Sequence, residues 1–452
     1  MAFAAVALSA LCLVPLQGDE ASATVVVTDD PVLFWNQVMV QNYSGSPITT
    51  SRGVAMVEVA LHDAVNAALG SPNASYLQGV ATSGGDVRAA ATQAAFEVLS
   101  VLNPAAAANL AAARDASLAL VPDGQAKADG IATGSAIAQA VIALRTGDGS
   151  TTPGTYTPTN PAEPGHWQPT PPANAAPLGT NWAGVDPWMM SSGNQFRASP
   201  PPDINSAEYA AALAEVKAIG AANSGLRDAD MTESALFWAQ TPGANAWVQL
   251  GIDAALQDAS RTTLENAMML AQLGVAGADA TIGIFDSKYF YDLWRPVTAI
   301  RNAETVASIA ALDDDSWLPF ITTPAHPSYV SGHSAQSAAM ATILQTHLGV
   351  VPISFTSTGP GGVITREWAS FEDAANDAAM SRLWGGIHYR FDNDAGLTMG
   401  RSVAQYVLGQ YQFRAVPEPA TWAVMLVGFG ALGGAMRTGR WRGKRLAVPA
   451  LA

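Results

Sequence analysis

Residues 264–301 read LENAMMLAQLGVAGADATIGIFDSKYFYDLWRPVTAIR. Apolar side chains return every three or four positions along this run, which predicts a long helix. Lys288 and Arg295 stand seven residues apart in it, two turns of an α-helix, so both are expected on one face. Pro296 directly after Arg295 bends or ends that helix. The same periodicity recurs in VAMVEVALHDAVNAAL (54–69), RAAATQAAFEVLSVL (88–102), the Ala-rich tract that continues to Arg145, AEYAAALAEVKAIGAA (207–222) and DADMTESALFWAQ (228–240). Further helices are expected over about 331–348, 366–384 and 394–412. No internal repeat and no convincing run of strands interrupts the pattern, so the fold class is all-α.

Residues 148–203 differ: they are dense in proline and carry Trp167, Trp182 and Trp188. That much proline forbids a regular helix or a central strand. The tryptophans imply a long loop packed on the body rather than a free linker. His166-Trp167 is a candidate substrate contact within it, although the structural reading is preferred. His62-Asp63 reads as a polar pair inside a helix, and Asp313-Asp314-Asp315 as a solvated loop without the spacing of a calcium site.

The 452 residues carry a formal net charge of -15, which opposes nucleic-acid binding. Against that background three stretches stand out: Lys288 with Arg295, AHPSYVSGHS (325–334) and SRLWGGIHYRFD (381–392). Together they supply Lys288, Arg295 and Arg382 as cations, His333 and His388 as imidazoles, the Ser331 hydroxyl and the Gly332 backbone. This set suits a tetrahedral oxyanion. Ser331 is expected to cap a helix whose first N–H groups, at Gly332 and His333, face the anion. His333 would titrate near neutrality as a proton donor or acceptor. Arg382 offers a guanidinium fork, and Gly385-Gly386 lets the chain break so that His388 can turn towards it. Asp392, one helical turn after His388, is placed to take the Nδ1 proton and leave Nε2 free as ligand or nucleophile.

In this order the three stretches resemble the signature motifs shared by vanadium-dependent haloperoxidases and type 2 phosphatidic acid phosphatases. The resemblance implies helical bundles of the haloperoxidase and acid phosphatase type, with the anion site at helix ends. It assigns Lys288, Arg295, Ser331, Gly332 and Arg382 as oxyanion ligands and His388 as the histidine bonded to the metal. His333 becomes the acid-base residue, with Lys288 polarising bound peroxide and Asp392 orienting His388. The implied cofactor is vanadate, and phosphate fits the same site. Substrates would be hydrogen peroxide, a halide and a small organic acceptor. His326 stands where bromoperoxidases of the family tend to carry His, which points to bromide or iodide. Val330 departs from the Pro usual at its position. The membrane phosphatases of this superfamily have several spanning helices, and no mature segment here reads as long and apolar enough to span. Two other readings remain open on the motifs: a soluble acid phosphatase working through a phosphohistidine, and a non-catalytic extracellular matrix-associated protein.

Both ends suggest export. Residues 1–23, MAFAAVALSALCLVPLQGDEASA, form an apolar stretch closing on Ala21-Ser22-Ala23, the small-residue form of a signal peptide. Cys12, the only cysteine, lies inside it, so the mature chain would hold no thiol. At the other end Val416-Pro417-Glu418-Pro419, an apolar segment of about 15 residues and a basic cluster to Arg445 resemble a PEP-CTERM sorting signal. That implies processing by an exosortase in a Gram-negative bacterium. The expected organisation is a signal peptide at 1–23, a single haloperoxidase-like helical domain at 24–415 and a sorting signal at 416–445. The mature protein would be secreted or held at the cell surface or in the extracellular matrix, with no membrane anchor after processing.

Overall fold

The computed structural model describes residues 28–157, 163–241 and 243–410, together with the backbone of 13–14 and 25–26. The expected signal peptide and sorting signal fall outside these residues, save the two-residue strand β1 (Leu13–Val14), which pairs antiparallel with β2 (Val25–Val26).

The described residues form thirteen α-helices: α1 (Pro31–Asn42), α2 (Pro47–Ala68), α3 (Val87–Leu102), α4 (Ala107–Leu118), α5 (Gln125–Arg145), α6 (Ala207–Ile219), α7 (Ala229–Gln240), α8 (Gly243–Ala255), α9 (Thr263–Tyr291), α10 (Pro296–Arg301), α11 (Gly332–Leu348), α12 (Phe371–Trp384) and α13 (Arg390–Gln410). The fold is all-α, as the periodicity predicts. Helices α1 and α8 are additional to the reading above. So is an antiparallel hairpin, β3 (Ile353–Gly359) with β4 (Gly362–Trp368), registered Ile353 to Trp368; its second strand replaces the start expected for α12.

Helix α9 organises the molecule. It packs on α2, which with α3 and α5 forms one helical group, and on α11 and α13, which with α12 form the other. Its N-terminus carries a capping box: the Thr262 side chain accepts from the Glu265 N–H while the Glu265 carboxylate accepts from the Thr262 N–H. Such a cap contributes about 1 kcal/mol. Contrary to the expectation from sequence, α9 is long and apolar enough to cross a membrane, with mean hydropathy 1.4 over its most apolar window. That window is 94% buried, so the apolar surface is used up by packing in the core.

Helices α11 and α13 touch backbone to backbone. A Cβ built on Gly400 would stand 2.1 Å from the Ala335 carbonyl oxygen, so any side chain there forces the two helices apart. The close crossing brings the start of α11 against the start of α13, where the Ser331 N–H donates to the Asp392 carbonyl at 3.0 Å.

The proline-rich segment packs down as expected, with Trp167, Trp182 and Trp188 buried. Its anchor is Asp279 of α9, a fully buried carboxylate that accepts from the N–H groups of Trp188, Met189 and Met190 at 2.7, 2.8 and 2.9 Å. Asp63 does the same for the N–H groups of Tyr76 and Leu77 while pairing with His62 Nδ1 at 2.8 Å. The His62-Asp63 pair is therefore part of the scaffold.

Candidate active site

Four chain breaks build the site. Helix α9 stops at Tyr291 because Asp292 adopts a left-handed conformation, φ 53°. The proline-rich loop holds that break: the Asp292 carboxylate accepts from the Tyr156 hydroxyl and pairs with His166 Nδ1 at 3.0 Å, and the Asp292 carbonyl accepts from the Trp167 N–H. His166 thus serves the turn. Arg295 follows as the N-cap of α10, with Pro296 at its first position. Contrary to what their spacing predicts, Lys288 and Arg295 therefore do not share a helix face; Lys288 lies in the last turn of α9 and Arg295 beyond its end.

The second break precedes α11. Ser331 is its N-cap residue, but its hydroxyl makes no capping bond, contrary to expectation. Instead it accepts from Ser334 Oγ at 2.9 Å. The Tyr329–Val330 peptide is cis and Val330 is buried. A Cβ on Gly332 would meet only Ile284 Cγ2, at 3.7 Å, so the N-terminus of α11 is open on that side. Third, α12 ends at Trp384 and the chain turns through Gly386 at φ 79°. A Cβ there would fall 2.2 Å from the Gly220 oxygen, so the turn requires glycine. Fourth, α13 begins at Arg390, which places His388 just before it and Asp392 in its first turn.

His388 and Asp392 meet as predicted, Nδ1 to Oδ2 at 2.8 Å. The same carboxylate oxygen accepts from Ser328 Oγ at 2.5 Å and from the Tyr389 N–H at 3.2 Å. On the other edge of the ring, Arg295 Nη1 lies 3.1 Å from His388 Nε2. A guanidinium can only donate, so Nε2 carries the lone pair and Nδ1 the proton. Two independent neighbours fix one tautomer. Arg295 also donates to the His326 carbonyl at 2.8 Å, to the Ile387 carbonyl at 2.7 Å and to His326 Nδ1 at 2.9 Å. Because Nδ1 of His326 must accept that bond, its contact with the Pro327 carbonyl at 3.2 Å is not a hydrogen bond of this tautomer.

Lys288 donates from Nζ to the carbonyls of Pro327 and Ser328 at 2.8 and 2.9 Å. Arg382 donates from Nε to Ser381 Oγ at 2.9 Å and reaches the Ala235 carbonyl at 3.4 Å. All three cations are buried, and among the described residues none forms an ion pair with a carboxylate. Burial lowers Arg382 to about 9 and Arg295 to about 10, so both remain cationic at neutral pH. Lys288 is held well below its ordinary value by burial and then by Arg295, with Asp392 opposing.

Burial and the neighbouring cations also hold His388 and His326 well below an ordinary histidine. His333, expected to titrate near neutrality, is instead lowered to about 3, by burial first and then by Arg382. Its Nε2 faces the Trp238 carbonyl at 3.1 Å. With only cations around it and no anion, this imidazole stays neutral.

Lys288, His326, Gly332, His333 and His388 line one cavity of about 260 Å³. Arg295, Ser331, Arg382 and Asp392 stand behind its surface. Ser328 and the carbonyls of Ala235 and Trp238 escape sequence reading. Ser328 had a signal, a hydroxyl within AHPSYVSGHS; the carbonyls, being backbone, had none.

Residues 268–415 match the family model of the VCPO second helical-bundle domain. A vanadium-dependent bromoperoxidase of Ascophyllum nodosum is 34% identical over 138 residues, 25% of each chain, so the match spans a quarter of that relative's length. A solved bacterial vanadium-dependent iodoperoxidase superposes with TM-score 0.69 and 28% identity, covering 85% of this chain and 96% of that one. A bacterial vanadium-dependent chloroperoxidase in its apo form shares the fold, with TM-score 0.65 and 17% identity over 81% and 95% of the two chains. Residues 268–415, which hold the motifs that the breaks after α9, before α11 and after α12 bring together, thus carry the match to the VCPO second helical-bundle domain, and the fold of the chain is that of the vanadium-dependent haloperoxidases.

Proposed function

We propose that this protein is an exported vanadium-dependent haloperoxidase that oxidises bromide or iodide with hydrogen peroxide. The carrying observation is the trio of buried cations that form no ion pair with a carboxylate among the described residues, Lys288, Arg295 and Arg382, grouped around a histidine whose Nε2 carries the lone pair. An uncompensated buried charge costs several kcal/mol, roughly 3–5 when its partner is removed. A site built this way is complete only with an anion.

The residues fit vanadate. His388 Nε2 would be the ligand atom, Lys288, Arg295 and Arg382 would balance the charge of its oxygens, and the open side of Gly332 leaves room where a side chain would intrude. Vanadate held there supplies an electrophilic centre that activates peroxide towards halide without a change of metal oxidation state. Asp392 keeps the proton on Nδ1, so His388 remains a ligand. His333, neutral without the anion, gains proton affinity when negative charge arrives beside it, which suits it to take and return a proton during peroxide turnover. Negative charge beside Lys288 would favour its cationic form for the same reason and so suit it to polarise an oxygen of the bound anion. His326, beside Phe285 at 5.5 Å between ring centroids, faces the same cavity and is the residue assigned to the halide.

Preference for bromide or iodide rests on His326 and on the similarity to a bacterial iodoperoxidase. Apoprotein prepared without vanadate should oxidise neither halide, and adding vanadate should restore peroxide-dependent formation of triiodide or bromination of a dye. If vanadate restores neither activity while the protein releases phosphate from an aryl phosphate, the assignment is wrong and the chain is a phosphatase.

A further inference from the structure

Arg295 Nη1 and His388 Nε2 lie 3.1 Å apart, yet the two residues come from different chain breaks, one after α9 and one before α13. Trp294 immediately precedes Arg295, and Tyr389 immediately follows His388. Both neighbours are buried, and both bond to a single atom, the hydroxyl oxygen of Tyr209. Trp294 Nε1 donates to it at 2.5 Å, and the Tyr389 hydroxyl lies 2.7 Å from it. Tyr389 Oη is in turn 3.5 Å from the Trp294 carbonyl. The order that gives every buried proton an acceptor runs from Trp294 Nε1–H to Tyr209, from the Tyr209 hydroxyl to Tyr389, and from the Tyr389 hydroxyl back to the Trp294 carbonyl.

Tyr209 is itself held firmly. It stands in the first turn of α6, where its N–H donates to the capping Ser206 hydroxyl at 3.1 Å. Its side chain is fully buried, with the ring 5.3 Å from that of Tyr389 between centroids. Helix α6 packs on α10, α12 and α13, the element after Arg295 and the two that flank His388. Tyr209 nevertheless lies outside residues 268–415, where the anion motifs are found. A phenylalanine would occupy the same space, so what the hydroxyl adds is this pair of bonds.

We propose that Tyr209 is a positioning residue of the anion site: its hydroxyl ties the neighbour of Arg295 to the neighbour of His388 and so sets the separation of the guanidinium from the ligand nitrogen. The bond from Arg295 to the Ile387 carbonyl orients the guanidinium itself; the bonds through Tyr209 hold the two backbone segments from which the guanidinium and the imidazole extend. Because a guanidinium donates along fixed directions, a small displacement of either segment costs the contact with Nε2. The inference rests on the reading of the cavity as an oxyanion site, and holds for vanadate and phosphate alike.

The test compares vanadate and phosphate affinity in the parent, Tyr209→Phe, Tyr389→Phe and the double variant, with native fold checked by circular dichroism. Each single variant should bind vanadate about tenfold more weakly, the low end of the loss when a ligand histidine is deprived of its outer partners. The double variant should lose little more than either, since both substitutions delete one link. With 15N-labelled histidine, the Nε2 signal of His388 should move towards that of an imidazole lone pair without a donor. Glu215→Ala serves as control: it removes the exposed ion pair of α6 with Arg390 of α13 and should change neither affinity nor signal. If Tyr209→Phe does not fold, Tyr389→Phe carries the same test. A folded phenylalanine variant with unchanged affinity or an unmoved His388 signal, losses that add in the double variant, or an equal loss in Glu215→Ala each overturns the inference and leaves Tyr209 as core packing. Failure of the oxyanion reading shows differently, as a parent protein that binds neither vanadate nor phosphate.

Discussion

His388 has a single usable tautomer, and two residues share the task of choosing it. Asp392 can only accept at Nδ1 and Arg295 can only donate at Nε2. Replacing Asp392 by Asn removes that choice, since an amide can present its N–H₂ to Nδ1 and drive the proton to Nε2. We expect Asp392→Asn to bind vanadate about 10–100-fold more weakly, the usual loss when a ligand histidine loses its orienting partner; isothermal titration would show it, and unaltered affinity would mean that Asp392 does not set the tautomer. Gly332 provides a test of the opposite kind. Because its Cβ would meet only Ile284 Cγ2 at 3.7 Å, Gly332→Ala should fold with a melting temperature close to that of the parent. The added methyl stands at the open end of α11, where the anion is expected, so vanadate affinity should fall by tenfold or more. A variant that folds and binds vanadate normally would place the anion elsewhere.

At the level of elements, α7 is the part of the site with no motif to announce it. It supplies the Ala235 carbonyl to Arg382, the Trp238 carbonyl to His333 and the Trp238 ring to the cavity. Its position depends on Asp377 of α12, which accepts from Ser234 Oγ, Trp238 Nε1, Trp368 Nε1 and two nitrogens of Arg366. That carboxylate joins α7, α12 and β4. Asp377→Asn would leave Arg366 with only the exposed carboxylates of Asp230 and Glu233, at 3.0 and 3.3 Å, so it should lower the melting temperature and should also weaken vanadate binding by releasing α7. A lowered melting temperature with unchanged affinity would limit Asp377 to stability.

The helices that sequence revealed were those with clear three-to-four periodicity. The hairpin stayed hidden because β3 buries only Ile353 and Ser357 along its seven residues, so no alternation of apolar side chains marks it. Lys288 and Arg295 were legible as residues but not as geometry. Their spacing fits a helix face, and only the left-handed Asp292, held from 126 residues away by His166, breaks it. The imidazoles and cations could be read because oxyanion chemistry needs scarce residue types, whereas the carbonyls that seat them could come from any residue.

Across the whole molecule, positive charge is concentrated where the net charge of -15 would least suggest it, and this couples stability to both anion and pH. His326, His333 and His388 are all depressed in the folded state from the ordinary 6.5. Below about that pH the unfolded chain binds protons that the folded apoprotein refuses, so stability is lost as pH falls. Asp392, raised to about 6 by burial, acts in the opposite direction, because the folded state then takes up a proton more readily than the unfolded one between about pH 4 and 6. His347 is lowered as well, to about 4, while burial raises Glu58 to about 8 and raises Asp279; with four imidazoles against three buried carboxyls, the apoprotein should melt at progressively lower temperature from pH 7 to pH 5. An oxyanion reverses the electrostatic cause, since negative charge among Lys288, Arg295 and Arg382 makes protonation of His333 easier. Vanadate at about 100 times its dissociation constant should add about 2.7 kcal/mol at neutral pH, and the slope of melting temperature against pH should flatten in its presence. Differential scanning calorimetry with and without vanadate over that range measures both effects. Parallel slopes would mean that the histidines titrate independently of the anion, and no stabilisation at all would mean that the buried cations are not an anion site.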